Sequence, residues 1–256
     1  MPTRSKFDFD RHEIQHKIAI DMFKTIKKAL DDNNIEFWLD AGTLLGAVRD
    51  KKFILGDYDI DICIWKENTE KVREILDSLP YYYYFDKEEN WFYRIFHERT
   101  RFGIGLVEFD EKNCYYESYL YPRGILGKTF DYLLWALSLY PAEYKDSLLP
   151  VGISKLIIKT LTYLPFRKKI KRFIFYLYER LDSYYFVHTI PYEFFMPLRT
   201  EKVYDIKVKV PKNSERYLEH RYGKDWTIPN PNYKYWLDDG TLKKYNRRKC
   251  YDTFSL

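Results

Sequence analysis

Two short segments hold the side chains best suited to chemistry: Gly42-Thr43-Leu44-Leu45-Gly46 and Asp57-Tyr58-Asp59-Ile60-Asp61-Ile62. In the second, Ile60, Ile62 and Ile64 alternate with Asp59, Asp61 and Cys63, the period-2 pattern of a strand with one apolar and one polar face. Asp59 and Asp61 then point the same way, about 6.5–7 Å apart. Carboxylates so placed can share one Mg²⁺ or Mn²⁺, or two ions about 3.5–4 Å apart bridged by a phosphate. Two neighbouring anions need a cation, and the chemistry suggested is phosphate transfer assisted by metal ions.

These residues need a scaffold. Ile14, Ile18, Met22, Ile26 and Leu30 recur every four positions, which predicts an amphipathic helix over 11–31, ended by Asp32-Asn33-Asn34. A β-rich run over 35–39 leads into the Gly42-Thr43 turn, and a brief helix through Val48 follows. Gly42 and Thr43 thereby sit at a helix start, where free N–H groups and partial positive charge favour a bound phosphate. After the Asp59 strand, Asn68 or Thr69 can cap a helix reaching Leu79, with Pro80 as its stop. Residues 81–85, 91–97, 102–109 and 115–121 are rich in aromatic and β-branched types and read as strands. From 130 to 185, long apolar and basic runs broken by Pro141, Pro150 and Pro165 read as a helical insertion. Strand alternation returns over 203–210, and Ser214 is expected to cap a short helix that Gly223 ends.

Composition bounds the class. The chain has 256 residues and is 20% aromatic, which excludes a disordered or coiled-coil protein. Cys63, Cys114 and Cys250 are far apart and odd in number, so neither a disulfide framework nor a structural zinc site is expected. The first ten residues are polar and no apolar run is long enough to span a bilayer, so the expected location is cytoplasmic. The net charge of +5 is uneven: residues 155–182 carry eight basic and two acidic side chains. An electrostatic partner would dock there, and peripheral association of 155–180 with the inner face of a membrane is the expectation.

Leu39-Asp40-Ala41-Gly42-Thr43-Leu44-Leu45-Gly46-Ala47-Val48-Arg49, followed by Phe53-Ile54 and Asp57-Tyr58-Asp59-Ile60-Asp61, closely resembles the LicD family of phosphotransferases, relatives of fukutin and the fukutin-related protein. A second resemblance lies in Val210-Pro211-Lys212, Tyr217-Leu218-Glu219-His220-Arg221-Tyr222-Gly223, Trp226 and Pro229. The family implies an α+β, nucleotidyltransferase-like fold akin to the DNA polymerase beta core: a mixed sheet flanked by helices, here with a helical insertion. It implies transfer of a phospho-alcohol such as phosphocholine or ribitol phosphate from a CDP-linked donor to a hydroxyl of a glycan, or of a lipid-linked glycan, with release of CMP. One domain over 1–256 is expected, with a core at 11–125, a basic helical insertion at 126–190 and a closing part at 191–256. The resemblance assigns Asp59 and Asp61 to catalysis and metal, and places a third carboxylate at Glu108, with Asp110 as the alternative. Gly42 and Thr43 would bind the donor phosphates, and Arg49, Lys51 or Lys52 would screen them. The chain departs from the family in having Leu55-Gly56 where Pro-Trp is usual, and Tyr58 where another Asp is common.

Rival readings exist. His12-Glu13-Ile14-Gln15-His16 satisfies the zinc-peptidase spacing, but no second motif follows and a packing helix explains it better. Gly127-Lys128-Thr129 resembles the end of a P-loop but has Pro122 where glycine is needed. The basic and aromatic run 167–176 would suit single-stranded nucleic acid, which makes a nucleotidyltransferase acting on RNA or a small molecule the alternative enzyme, although nucleic acid is not the expected partner. A non-catalytic peripheral membrane module is the third reading, disfavoured because Asp59 and Asp61 are both present.

Overall fold

In the computed structural model, the helix expected from the four-residue recurrence runs over α1 (Lys6–Asp32). Its buried stripe is Ala19, Met22, Phe23, Ile26 and Leu30, while Ile14, expected on that stripe, is exposed. The structure describes residues 6–55, 57, 59–85, 92–98, 100–121 and 184–246, with 129, 166, 169, 170, 173, 174, 176 and 177.

By Cα packing the chain divides into two units, one of 1–118 with 187–243 and the other of 119–186 with 244–256. The boundaries expected at 125 and 190 differ from this division. The first unit holds β1 (Phe37–Leu39), α2 (Ala41–Arg49), β2 (Asp59–Trp65), a 3₁₀ turn (Lys66–Asn68), α3 (Thr69–Asp77), β3 (Tyr82–Phe85), β4 (Phe92–His97), β5 (Thr100–Phe109) and most of β6 (Asn113–Tyr121). It continues through β7 (Tyr184–Pro191), α4 (Tyr192–Phe195), β8 (Leu198–Val203), β9 (Ile206–Pro211), α5 (Ser214–Tyr222), α6 (Tyr235–Asp238) and the start of β10 (Leu242–Asn246). In the second unit most of the basic segment lies outside the described residues. Its described positions 169–170, 173–174 and 176–177 are helical, and Phe173 is exposed. Among the described residues no helix is long and apolar enough to cross a membrane.

The architecture is α+β. A mixed sheet runs β1-β2-β5-β6-β7-β10, with β4 also on β5 and β3 on β4. β2 and β5 are parallel with Asp59 opposite Arg101, Asp61 opposite Gly103 and Trp65 opposite Val107, whereas β1–β2 and β4–β5 are antiparallel. Alternation then assigns the two faces. Ile60, Ile62, Ile64, Phe102, Ile104 and Leu106 are buried on one face. There Phe23 of α1 stacks on Phe102 at 6.3 Å, and Val72, Ile75 and Leu76 of α3 complete the layer. Asp59, Asp61, Cys63 and Trp65 lie on the other face, where Trp38 sits 4.9 Å from Trp65 and 5.5 Å from Phe195 of α4. Such aromatic pairs add about 0.5–1.5 kcal/mol each beyond burial. Cys63 and Cys114 are buried thiols, and burial pushes the Cys114 thiol up to about 12.

Three expectations are corrected. The run 203–210 is not one strand: it spans the β8–β9 hairpin, broken by a Tyr204-Asp205 turn in which Tyr204 has φ 54°. The stretch 184–190 belongs to a strand, not to a helical insertion. Ser214 does not cap α5 but opens it, its hydroxyl bonding the Pro211 carbonyl while Asn213 takes the cap position.

Candidate active site

β1 delivers the chain to Asp40 in extended conformation, and Ala41 then turns at φ 49° into α2. Gly42 and Thr43 fall in the first helical turn, whose N–H groups have no acceptor within the helix. Asp61 is held from both sides by this turn. Its N–H donates to Thr43 Oγ1 at 2.9 Å, and its carbonyl accepts the Asp40 N–H at 3.1 Å. The helix start and the acidic strand are therefore one rigid unit. A Cβ on Gly42 would lie 2.7 Å from Asp57 Oδ2, so the Asp57 carboxylate approaches the helix start over a surface that only glycine leaves open.

Asp57 was part of the motif but had no assigned role; the structure brings it beside Asp59, whose N–H faces Asp57 Oδ1 at 3.4 Å. Burial, then the Asp59 charge, push the Asp57 carboxyl up to about 6, with partial relief from the Asp59 N–H and Arg101. Asp59 itself takes a bidentate pair from Arg101, Nε to Oδ1 at 2.7 Å and Nη2 to Oδ2 at 2.6 Å. Arg101 is 49% and Asp59 35% exposed, so water screens this pair, and its net worth is about 0–1 kcal/mol. Asp59 and Asp61 share the face expected of them, and these residues with Asp57, Gly42, Thr43 and Arg101 form the site.

Other expected residues are elsewhere. Glu108 is not brought to Asp59 and Asp61: it is an even step along β5 from Phe102, on the face opposite Arg101, and it pairs with Lys66. Its register lies seven residues from Arg101, about 23 Å along the strand. Asp110 is committed to the β5–β6 turn, accepting Lys112 and Asn113 N–H and the Tyr115 hydroxyl. Arg49 ends α2, about 10 Å from Gly42 by helical rise, and clasps Asp50 through Nε and Nη2. Lys52 is exposed beyond that end, and Lys51 faces Glu201 at 3.4 Å. Among the described residues no three His, Cys, Asp or Glu side chains converge as a finished metal cage. The donor set still fits a hard divalent cation in kind: oxygen ligands from one strand face, with the Asp57 carboxyl beside them raised by burial and then by the Asp59 charge.

Behind the helix start lies a buried polar cluster that sequence reasoning missed. Asp40, 2% exposed, accepts the Tyr217 hydroxyl at Oδ1 and the Tyr116 hydroxyl at Oδ2, each at 2.6 Å, and Arg221 Nη1 at 3.1 Å. Burial pushes this carboxyl up, but Arg221, the two hydroxyls and the Ala41 N–H outweigh it and hold it below its ordinary value. Arg221 Nε lies 2.8 Å from Asp239 Oδ2, and Asp239 also accepts the Thr241 N–H and hydroxyl. His188 stacks on Tyr116 at 4.7 Å and meets Thr241 Oγ1 at 2.6 Å. The signal available in the sequence was the second LicD-like segment, whose Tyr217 and Arg221 meet Asp40 of the first across 177 and 181 positions.

Two predictions arise here. Burial, and then Arg221, push His188 well below 6.5. The unfolded chain therefore binds a proton near pH 6.5 that the native chain refuses, so this residue's contribution is intact above 6.5 and lost as pH falls below it. Urea unfolding at pH 7.5 and 5.5 should show lower stability at 5.5, and His188→Gln should flatten that difference. Gly240, whose N–H bonds the Arg221 carbonyl, has no room for a methyl group: a Cβ would lie 2.0 Å from the His220 carbonyl oxygen. Gly240→Ala should cost about 2–3 kcal/mol through forced backbone shifts, read as a lowered urea midpoint.

Of the peptidase-like pair, His16 meets the Tyr204 hydroxyl at 2.8 Å, and burial with Lys52 lowers its pKa; the His12 side chain lies outside the described residues.

Residues 34–127 match the family described as LicD/FKTN/FKRP, nucleotidyltransferase domain. An uncharacterized protein of Rickettsia typhi is 32% identical over 133 residues, 47% of this chain and 43% of that protein. An uncharacterized protein of Rickettsia prowazekii is 36% identical over 77 residues, 29% of each chain. The matched stretches thus span less than half the length of these relatives. Among solved structures, the solution structure of the antibiotic-resistance factor ANT(2'')-Ia aligns with TM-score 0.33 at 15% identity, over 63% of this chain and 93% of that one. The crystal structure of ANT(2'')-Ia with adenylyl-2''-tobramycin aligns with TM-score 0.31 at 15% identity, over 62% and 98%.

Proposed function

We propose that the LicD-type domain at residues 34–127, a family membership that implies transferase activity of the phosphotransferase kind, moves a phospho-alcohol from a CDP-activated donor to a glycan hydroxyl and releases CMP. The observation that carries this reading is the double tie between Asp61 and the α2 start, which fixes an acidic strand against a set of free N–H groups.

In such a displacement the acceptor oxygen, the phosphorus and the departing CMP oxygen lie in line, and positioning with charge stabilisation supplies most of the rate. The N–H groups of Gly42 and Thr43 bind the donor phosphates at the positive end of α2. Thr43 Oγ1 accepts from Asp61 N–H, which leaves the hydroxyl hydrogen available to the same phosphates. Asp59 and Asp61 would hold a divalent cation, Mg²⁺ or Mn²⁺, which supplies positive charge against the developing negative charge of CMP. Asp57, beside Gly42 and Asp59, takes the place of Glu108 as the further carboxylate. The half-exposed Arg101 adds a cation on the same face. Arg49 and Lys52 leave the donor site in this reading, because α2 carries them to its far end.

The test is incubation with CDP-choline, CDP-ribitol or CDP-glycerol, a divalent metal and a glycan acceptor, with CMP followed by chromatography. CMP release with one of these donors is the expected result. Turnover of ATP in place of every cytidine donor would instead select the nucleotidyltransferase alternative.

A further inference from the structure

We infer that Tyr217 and Arg221 are positioning residues: through Asp40 they set the orientation of the α2 start and keep the Gly42 and Thr43 N–H groups available to a phosphate. The inference rests on the phosphate reading above. An aspartate just before a helix ordinarily turns its carboxylate onto the N–H groups of the first turn and satisfies them itself. Asp40 occupies that position but makes no such bond to Gly42 or Thr43, its carboxylate meeting only the Ala41 N–H of that turn. Both of its oxygens are instead drawn to the other side, to Tyr217, Tyr116 and Arg221. The Asp40 carboxylate is thereby withheld from the Gly42 and Thr43 N–H groups, where a ligand anion is needed.

The same residue is the junction of the site. Its N–H donates to the Asp61 carbonyl and its carbonyl accepts the Leu44 N–H at 2.9 Å, while its side chain is gripped by α5 and β6. Tilting Asp40 therefore tilts α2 against β2. Stability alone does not account for the cluster, because buried ionic groups are often no more stabilising than apolar ones of equal size. What the cluster provides is one fixed direction for the Asp40 carboxylate.

Tyr217→Phe removes one hydroxyl and keeps the ring packed on Phe195, 5.1 Å away. Arg221→Lys keeps the charge but loses the two-sided fork that reaches Asp40 and Asp239. Both are compared with the parent chain for CMP binding by titration calorimetry, for KM toward donor and acceptor separately, and for thermal unfolding. In Tyr217→Phe, the CMP Kd and the donor KM should rise about tenfold, the value of one charge-assisted hydrogen bond, with the acceptor KM unchanged. A role confined to folding would lower the unfolding temperature and leave CMP Kd and donor KM where they were, and that result overturns the inference. Should Arg221→Lys fail to fold, Tyr217→Phe and Tyr116→Phe decide the matter by the same two constants. A parent chain that neither binds CMP nor consumes a cytidine donor overturns the phosphate reading and this inference with it, before any variant is compared.

Discussion

Asp61→Asn is expected to lower CMP release by about a hundred- to a thousandfold, the scale on which removing preorganised charge stabilisation from a transition state is felt. The substitution keeps shape and removes charge. The bonds that fix residue 61, from its N–H to Thr43 and from Asp40 to its carbonyl, are main-chain groups on the Asp61 side and survive the change. The thermal melt should therefore move little beside the loss of turnover, which separates loss of chemistry from loss of fold. Asp59→Asn should lose turnover as well, and it also weakens the Arg101 clasp. Quantifying CMP by chromatography beside a thermal melt checks both variants. A near-normal rate in Asp61→Asn would remove this strand from the chemistry.

Arg221→Met should destabilise the chain by about 3–5 kcal/mol, because it strands two carboxylates, Asp40 and Asp239, beside two tyrosines with no cation. Denaturant midpoints measure it. The pH dependence carries a sign that identifies the cause. In the native chain, Asp40 is held below 3.8, so its pairing contributes stability above that value that is lost as pH falls through the lowered one. Without Arg221, burial dominates and the carboxyl moves up, so the penalty is present at neutral pH and is relieved on acidification. The variant should recover part of its deficit between pH 8 and pH 5, whereas a cavity defect would show no such recovery.

Much of the scaffold was legible in local pattern. The recurrence from Ile18 to Leu30 marks α1, and the Ile60–Ile62–Ile64 alternation marks β2 and its acidic face, because each pattern is set by the element's own period. The Gly42-Thr43 turn into a helix was also readable. What local pattern could not give is register between strands. Glu108 looked equivalent to Asp59 and Asp61 until the parallel pairing of Asp59 with Arg101 fixed which β5 residues share their face. The same pairing brought in Arg101, which has no motif of its own. Asp40 was read as part of a family signature but not as the hub of a buried cluster, since its partners come from β6 and α5. The β8–β9 turn was hidden because Tyr204 adopts a left-handed backbone without glycine or asparagine to announce it.

The 181 positions between Asp40 and Arg221 set a delay in synthesis. At ordinary translation rates of about 5–20 residues per second, roughly 10–35 s separate the appearance of the one from that of the other. From residue 127 onward the nascent chain carries the whole family-matched stretch 34–127, yet Asp40 has no Arg221 to pair with. A ribosome-bound chain paused at about residue 130 should be held by chaperones and cleaved readily by protease. Resistance to cleavage would arrive late and in a single step, once the last strand of the first unit is made.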